Sequence, residues 1–113
     1  MDKQQVHRTD IGYSYRDIPI HAAEGIHETA ILEITNLPKG ERVLELGAGS
    51  GAFSKRLIDH GFKVTSSDLS ENGFLCDTEF IAADLNANFS IKFNGHKYNT
   101  IVALETIEHL ENP

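Results

Sequence analysis

The sequence predicts an α/β fold built on a parallel, doubly wound sheet. Strand-length apolar segments are separated by segments with helical patterning, and this favours βαβ crossovers. The segment at 42–46 is continuously apolar at its centre, which is typical of a strand buried on both faces. Each predicted strand is followed by glycine or an acidic residue. The predicted strands are residues 42–46, 62–67, 79–83 and 98–104.

Before the first strand, the pattern predicts a flexible lead-in followed by one helix. Residues 1–17 are mostly polar, with Tyr13 and Tyr15 as their large apolar side chains, which is typical of a mobile terminus. Pro19 lies where the first turn of a helix tolerates proline. Over residues 21–35 apolar side chains recur at spacing four, which predicts a helix with one apolar stripe. Residues 18–113 are therefore predicted to form the folded domain.

The remaining elements alternate as a doubly wound sheet requires. A helix is predicted over residues 51–60, and Gly61 is well placed as the residue that ends it. Residues 70–74 are predicted to form a short turn or helix. Residues 86–97 are predicted to form a polar loop, because they contain the turn signal Asn94-Gly95.

Composition excludes several classes of protein. The chain has 113 residues, of which 40% are hydrophobic, enough for one small domain with a core. Its formal net charge of −7 argues against a nucleic-acid binder, which normally carries a basic face. No apolar stretch reaches the ~20 residues of a membrane helix, and no secretory signal is visible. Because the single cysteine, Cys76, has no disulfide partner, we expect a reduced, cytoplasmic setting.

Residues 43–51 carry the strongest functional signal. An apolar strand runs into Gly47, Gly49 and Gly51, and a helical pattern follows at once. Glycine suits a turn that needs positive φ or close approach to a ligand, and the helix N-terminus favours negative charge. The spacing is G-x-G-x-G rather than the G-x-G-x-x-G of dinucleotide-binding turns.

Acidic residues follow the later strands, at Asp68, Asp84 and Glu105. Ligands of open α/β sheets bind outside the carboxyl ends of the strands, so these carboxylates are candidates for one site. Asp68 follows Gly47 by 21 positions (68 − 47), a spacing typical of the acid that binds ribose hydroxyls. The alternative for Asp68 is a cap for the turn at residues 70–72.

The glycine turn, its strand and the later acids together resemble the class I S-adenosylmethionine-dependent methyltransferases. This resemblance implies a Rossmann-like sheet in strand order 3-2-1-4, with S-adenosylmethionine as the cofactor. It implies that Glu45 and Gly47 approach the methionine amino group, that Leu69 flanks the adenine and that Asp84 reaches the adenine amino group. For Glu45 the alternative is an acid favoured by the nearby helix dipole. The cofactor-binding residues predicted in this way are Glu45, Gly47, Ala48, Gly49, Gly51, Asp68, Leu69, Asp84, Leu85 and Glu105.

Residues 98–113 resemble motif IV of a branch that includes ubiquinone-type O-methyltransferases and small-RNA 2′-O-methyltransferases. In the RNA enzymes this motif binds a divalent cation, and the matching residues here are Glu105, Glu108 and His109. Carboxylates and imidazole are suitable ligands for Mg²⁺ or Mn²⁺. Many relatives carry the Glu-His pair without a metal, so we predict no metal site.

The resemblance covers residues from about 20 to 113 and matches the first half of the family's domain, lacking its C-terminal strands. One interpretation is a methyltransferase with a small-molecule acceptor, or the cofactor-binding half of one. The alternatives are a non-catalytic Rossmann-like binding or assembly module and a fragment of a metal-assisted RNA 2′-O-methyltransferase. No catalytic residue is assigned.

We predict that the chain forms a homodimer or larger assembly through its fourth strand. In the order 3-2-1-4 this strand lies at the border of the sheet, and residues 100–104 contain neither proline nor charge. Such an edge readily pairs with another strand. Light scattering at high micromolar concentration should show an assembly, whereas a monodisperse monomer would contradict the prediction.

Overall fold

The computed structural model of the chain describes residues 6–9, 12–20, 25–84 and 98–104. Within these residues the chain forms a small antiparallel sheet, a parallel sheet and two helices. Their order is β1 (Val6–Thr9), β2 (Gly12–Tyr15), β3 (Ile18–Ile20), α1 (Ile26–Ile34), β4 (Arg42–Leu46), α2 (Ala52–Asp59), β5 (Lys63–Asp68), β6 (Glu79–Ala82) and β7 (Thr100–Val102). The loop predicted at 86–97 lies outside the described residues.

The parallel sheet has the predicted topology. Its strands are arranged β6-β5-β4-β7, which confirms the order 3-2-1-4, and all three neighbouring pairs are parallel. Glu45 on β4 is paired with Ser66 on β5 and with Val102 on β7. Because paired residues point to the same face of a sheet, these three side chains share one face. The carboxyl ends of the four strands lie along one edge.

Both described helices pack on that same face. Ile31 and Ile34 of α1 and Phe53 and Leu57 of α2 form a buried cluster with Val43 of β4. Burial of each such side chain contributes about 1.5–3 kcal/mol, so this layer stabilises the described sheet. The apolar stripe predicted for the first helix includes Ile34, which is buried, and Ala30, which packs against the cluster. The helix also buries His27 and Ile31, which lie outside the predicted stripe.

The first helix is shorter than the predicted span of residues 21–35. It begins at Ile26, preceded by Gly25 at φ +86° without a side-chain cap. Left-handed backbone cannot continue a right-handed helix, so Gly25 fixes where the helix starts. The helix ends at Ile34, and the N–H of the C-cap residue Thr35 donates to the carbonyl of Ile31.

The N-terminal residues that the structure describes form strands, whereas the sequence pattern predicts a flexible lead-in. β1, β2 and β3 form an antiparallel sheet in that order. Arg16 and Asp17, at φ 49° and 68°, form the two-residue turn that joins β2 to β3, as in tight hairpins. Pro19 lies in β3 rather than in a helix, and β3 is an edge strand, where proline's missing N–H is tolerated.

This N-terminal sheet is held against α2 by one apolar face and one carboxylate. Tyr15 is 1% exposed and packs with Ile18 and Ala52. The Tyr15 hydroxyl donates to Asp59 Oδ2 at 2.6 Å, and Arg16 Nε lies 2.6 Å from the same oxygen. The alternation of apolar side chains along β2 and β3 is the strand signal that the helical interpretation missed.

No helix in the part of the chain that the structure describes has the length and apolar character to cross a bilayer.

We predict that Tyr15→Ala lowers the free energy of unfolding by about 3–5 kcal/mol, because it removes a buried aromatic ring. Tyr15→Phe should cost about 1 kcal/mol, through loss of the hydrogen bond to Asp59. Chemical denaturation measures both values. Leu32→Ala is the control, because Leu32 is 71% exposed. A loss in Tyr15→Ala no larger than in the control would show that the N-terminal sheet is not packed on α2.

Candidate functional site

The turn between β4 and α2 is the glycine turn that the sequence predicts. Gly47, Gly49 and Gly51 have φ values of 71°, 59° and 94°, all in the region that side chains with a Cβ rarely adopt. The turn is tied to the next strand, because Ala48 N–H donates to the carbonyl of Ser67 at 2.9 Å. It is closed by a 3.0 Å hydrogen bond from Gly51 N–H to the carbonyl of Ala48.

Gly51 makes room for another part of the protein. A Cβ built on Gly51 would lie 2.8 Å from Cβ of Cys76 and 2.8 Å from Cε1 of Phe74. The same loop is held by Leu75 N–H, which donates to the carbonyl of Ser50 at 2.8 Å. The residues predicted as a short turn or helix after β5 thus form a non-helical loop that packs on the glycine turn. Sequence spacing alone could not distinguish this use of Gly51 from ligand contact.

Asp68 joins the ends of β4 and β5. Its Oδ2 accepts a 2.8 Å hydrogen bond from Gly49 N–H, and its Oδ1 accepts one of 2.7 Å from Leu69 N–H. The turn that follows is capped by Ser70, whose hydroxyl accepts from Asn72 N–H at 3.1 Å, so in this structure Asp68 is not the cap. Each carboxylate oxygen has a second lone pair. Asp68 can therefore accept hydrogen bonds from a vicinal diol without losing its contact with the turn.

A cleft of about 310 Å³ opens beside Asp68. This volume lies at the lower end of the range for small-molecule sites. One side of the cleft is the glycine turn and the other is the loop after β5, so it combines backbone polar groups with one carboxylate. Leu69 at its rim is 68% exposed, which leaves an apolar surface for a flat ring. The lining residues are Gly49, Ser50, Asp68, Leu69, Ser70, Asn72 and Gly73.

Some other predicted site residues are near this cleft and some are outside the described residues. β6 continues beside β5, because Ala83 N–H donates to the carbonyl of Asp68 at 2.9 Å, and the exposed Asp84 follows at the same edge. The predicted positions Leu85 and Glu105, and the metal candidates Glu108 and His109, lie outside the described residues. Among the residues that are described, no cluster of three His, Cys, Asp or Glu side chains could hold a metal ion.

Glu45 lies beneath the glycine turn rather than in the lining of the cleft. It is 4% exposed, and its Oε1 accepts a 2.5 Å hydrogen bond from Ser54 Oγ on α2. Burial raises the pKa of Glu45 to about 8, the Ser54 hydrogen bond lowers it and the negative charge of Asp68 raises it. A buried carboxyl in the strand that leads into a candidate ligand-binding turn is unusual. The sequence located this residue, but its burial follows only from the packing of α2.

The chain belongs to a family of methyltransferase domains, whose sequence profile matches residues 18–113. Members of this class I family use S-adenosylmethionine as the cofactor. The resemblance to class I S-adenosylmethionine-dependent methyltransferases, which rests on residues 43–51 and on the acidic strand ends, is therefore confirmed at the level of the family.

Two curated relatives are ubiquinone biosynthesis O-methyltransferases. The protein from Coxiella burnetii is 30% identical over 104 residues, which are 84% of this chain and 43% of the relative. The protein from Vibrio cholerae is 23% identical over 103 residues, 84% of this chain and 42% of the relative. The chain thus spans less than half the length of these relatives.

A solved structure, that of the CurJ carbon methyltransferase, is similar to part of the chain. Its TM-score is 0.49 at 24% identity, and the match covers 69% of this chain and 25% of that protein.

We predict that Gly51→Ala destabilises the protein more than Gly40→Ala. Both residues have positive φ, +94° and +83°, and a Cβ in that conformation costs about 1–2 kcal/mol. A Cβ at Gly40 meets nothing within 4 Å, whereas the one at Gly51 meets the loop and adds about 1–3 kcal/mol. Chemical denaturation of the two variants measures the difference. Equal losses would show that the loop after β5 does not pack on Gly51.

Proposed function

We propose that this chain is the cofactor-binding half of a methyltransferase that acts on a small molecule. The observation that carries the proposal is the Asp68 carboxylate in the lining of the cleft. It accepts a hydrogen bond from Gly49 N–H and has further lone pairs that can accept from a ligand. A ribose diol is the part of S-adenosylmethionine that such a carboxylate binds. Membership of the methyltransferase-domain family supports this assignment.

The residues of the site suit the other parts of the cofactor as well. Leu69 would pack against the adenine, and Asp84 lies beyond β6, where a carboxylate can accept from an exocyclic amino group. Gly47 and Glu45 are the residues proposed to serve the methionine amino group, Gly47 through its carbonyl. When bound, S-adenosylmethionine supplies an activated methyl group on its sulfonium. The contribution of the chain is to hold that group in line with the acceptor, since positioning can account for much of the rate enhancement of such a transfer.

The small-molecule acceptor is proposed from two observations. The curated relatives described above are named for ubiquinone biosynthesis, and the net charge of −7 disfavours a polyanionic substrate. A non-catalytic module with the same fold is the second candidate. Binding of the cofactor without transfer to any acceptor, in a protein that includes the remaining part of the domain, would favour this second candidate.

We also propose a cytoplasmic location and self-association through β7. In the described part of the sheet β7 is paired with β4, and Ile101 on β7 is 61% exposed. An apolar edge strand of this kind supports pairing with a second copy.

We predict that the chain binds S-adenosylmethionine and that Asp68→Ala weakens binding by about 10–100-fold, which corresponds to loss of charged hydrogen bonds worth roughly 1–3 kcal/mol. Gly49→Val should abolish binding, because its side chain would enter the cleft and its backbone could not keep positive φ. Isothermal titration calorimetry measures both effects.

Glu71→Ala is the matched control, because Glu71 is an exposed carboxylate of the loop next to the cleft and is outside its lining. Its affinity should equal that of the unchanged chain. Unchanged affinity in both Asp68→Ala and Gly49→Val would exclude this cleft as the cofactor site.

A further inference from the structure

A chain of three hydroxyl groups, two of them fully buried, ends on Glu45. Ser54 Oγ lies 2.5 Å from Glu45 Oε1 and 2.6 Å from Ser66 Oγ, and Ser66 Oγ lies 2.6 Å from Thr78 Oγ1. Ser54 and Ser66 are fully buried, whereas Thr78 is partly exposed. The chain of hydrogen bonds therefore runs from the interior below the glycine turn to the end of the loop that forms one side of the cleft.

When Glu45 is ionised, the hydrogen bonds of this hydroxyl chain must all run in one direction, because each hydroxyl has only one proton to donate. A carboxylate can only accept, so Ser54 must donate its one proton to Glu45 and then accept from Ser66. Ser66 in turn accepts from Thr78. Every bond of the chain is then made, and all three hydroxyl dipoles point towards the negative charge. Hydrogen bonds in such a series reinforce one another in a low-dielectric interior.

The elements that pack around Glu45 contribute few other polar groups. β5 contributes Ser66 and, at its end, Asp68, and the negative charge of Asp68 opposes ionisation of Glu45. β7 contributes the apolar Val102 opposite Glu45, and α2 contributes Ser54. Within the described residues no cation is paired with Glu45. The hydroxyl chain is thus the structural feature in the described residues that favours the ionised carboxyl.

We propose that Ser54, supported by Ser66 and Thr78, is a positioning residue for Glu45. The hydroxyl chain stabilises the negative charge that forms on the Glu45 carboxyl when a cationic cofactor enters the cleft. This inference rests on the proposed function. S-adenosylmethionine carries a sulfonium and an ammonium group, so its binding favours the ionised carboxyl. The O–H bond of the Glu45 carboxyl breaks and the proton passes to solvent water. The resulting carboxylate keeps its hydrogen bond to Ser54.

Two consequences have a definite sign. Cofactor affinity rises with pH until Glu45 is ionised in the free protein, because below that pH binding must release a proton. The folded-state pKa of Glu45, about 8, exceeds its ordinary value of 4.5. The native state therefore binds more protons than the unfolded state between these values, and the contribution of Glu45 to stability falls as pH rises through this window.

The test is calorimetric titration of the 113-residue chain with S-adenosylmethionine from about pH 6 to pH 9, in buffers of different ionisation enthalpy. The unchanged chain should release a proton on binding. Its affinity for the cofactor should rise by up to about tenfold per pH unit below the midpoint of the curve of affinity against pH. Ser54→Ala should shift that midpoint upwards by about one unit, because the ionised carboxyl loses its donor. Ser66→Ala should shift it less, and Glu45→Gln should abolish both the proton release and the pH dependence.

Ser67→Ala is the matched control. Ser67 is adjacent to Ser66 and is 1% exposed, but it points to the opposite face of β5. Its hydroxyl has no hydrogen-bond partner among the residues described. This variant should reproduce the pH profile of the unchanged chain, so that any shift in Ser54→Ala reports the hydroxyl chain and not the loss of a buried serine.

The possible failures are distinguishable. Absence of binding by the unchanged chain at every pH would overturn the proposed function together with this inference. Binding with a flat pH profile, or coincident profiles for Ser54→Ala and Ser67→Ala, would overturn the inference alone. A readout without ligand covers the case in which Ser54→Ala does not fold. Between about pH 5 and pH 8 the thermal stability of the unchanged chain should fall more, or rise less, with increasing pH than that of Glu45→Gln, and equal slopes would overturn the inference.

Discussion

The hydrogen bond between Gly49 N–H and the Asp68 carboxylate is the contact on which the rest of the site depends. It connects the turn after β4 with the end of β5, two segments that are adjacent in the sheet but 19 residues apart in sequence. The turn can present its N–H in this direction because its glycines have positive φ. One carboxylate therefore orients the backbone of the site and remains available to a ligand.

The loop after β5 gives this arrangement its second wall. It packs against the face of Gly51 that has no side chain, through Phe74 and Cys76, and its later residue Thr78 takes part in the hydroxyl chain below the turn. Gly51 in the glycine turn and the hydroxyl chain below the turn are thus both in contact with the same short loop. A displacement of this loop would change both the width of the cleft and the surroundings of Glu45.

The strands of the N-terminal sheet were missed because a helical pattern and a polar composition gave stronger sequence signals than the short alternation along β2 and β3. Pro19 and the helical spacing downstream favour a helix start, and the polar composition of residues 1–17 favours a mobile segment. The alternation from Tyr13 to Ile20 is short, and an isolated hairpin is only marginally stable in water. It becomes ordered here because α2 offers Ala52 and Asp59 as partners for Tyr15. Those partners are far away in sequence, so no local pattern could have predicted the contact.

The parallel sheet, the glycine turn and the acidic strand ends could be read from the sequence, because apolar periodicity and glycine placement act over a few neighbouring residues. The strand order followed from the family resemblance. The use made of these residues depends on the three-dimensional packing. The tertiary structure buried Glu45 against Ser54, it assigned Gly51 to the packing of a loop, and it left Asp68 open to the cleft. Burial, hydrogen bonding and pKa depend on which segments meet in space, and that information is distributed over the whole chain.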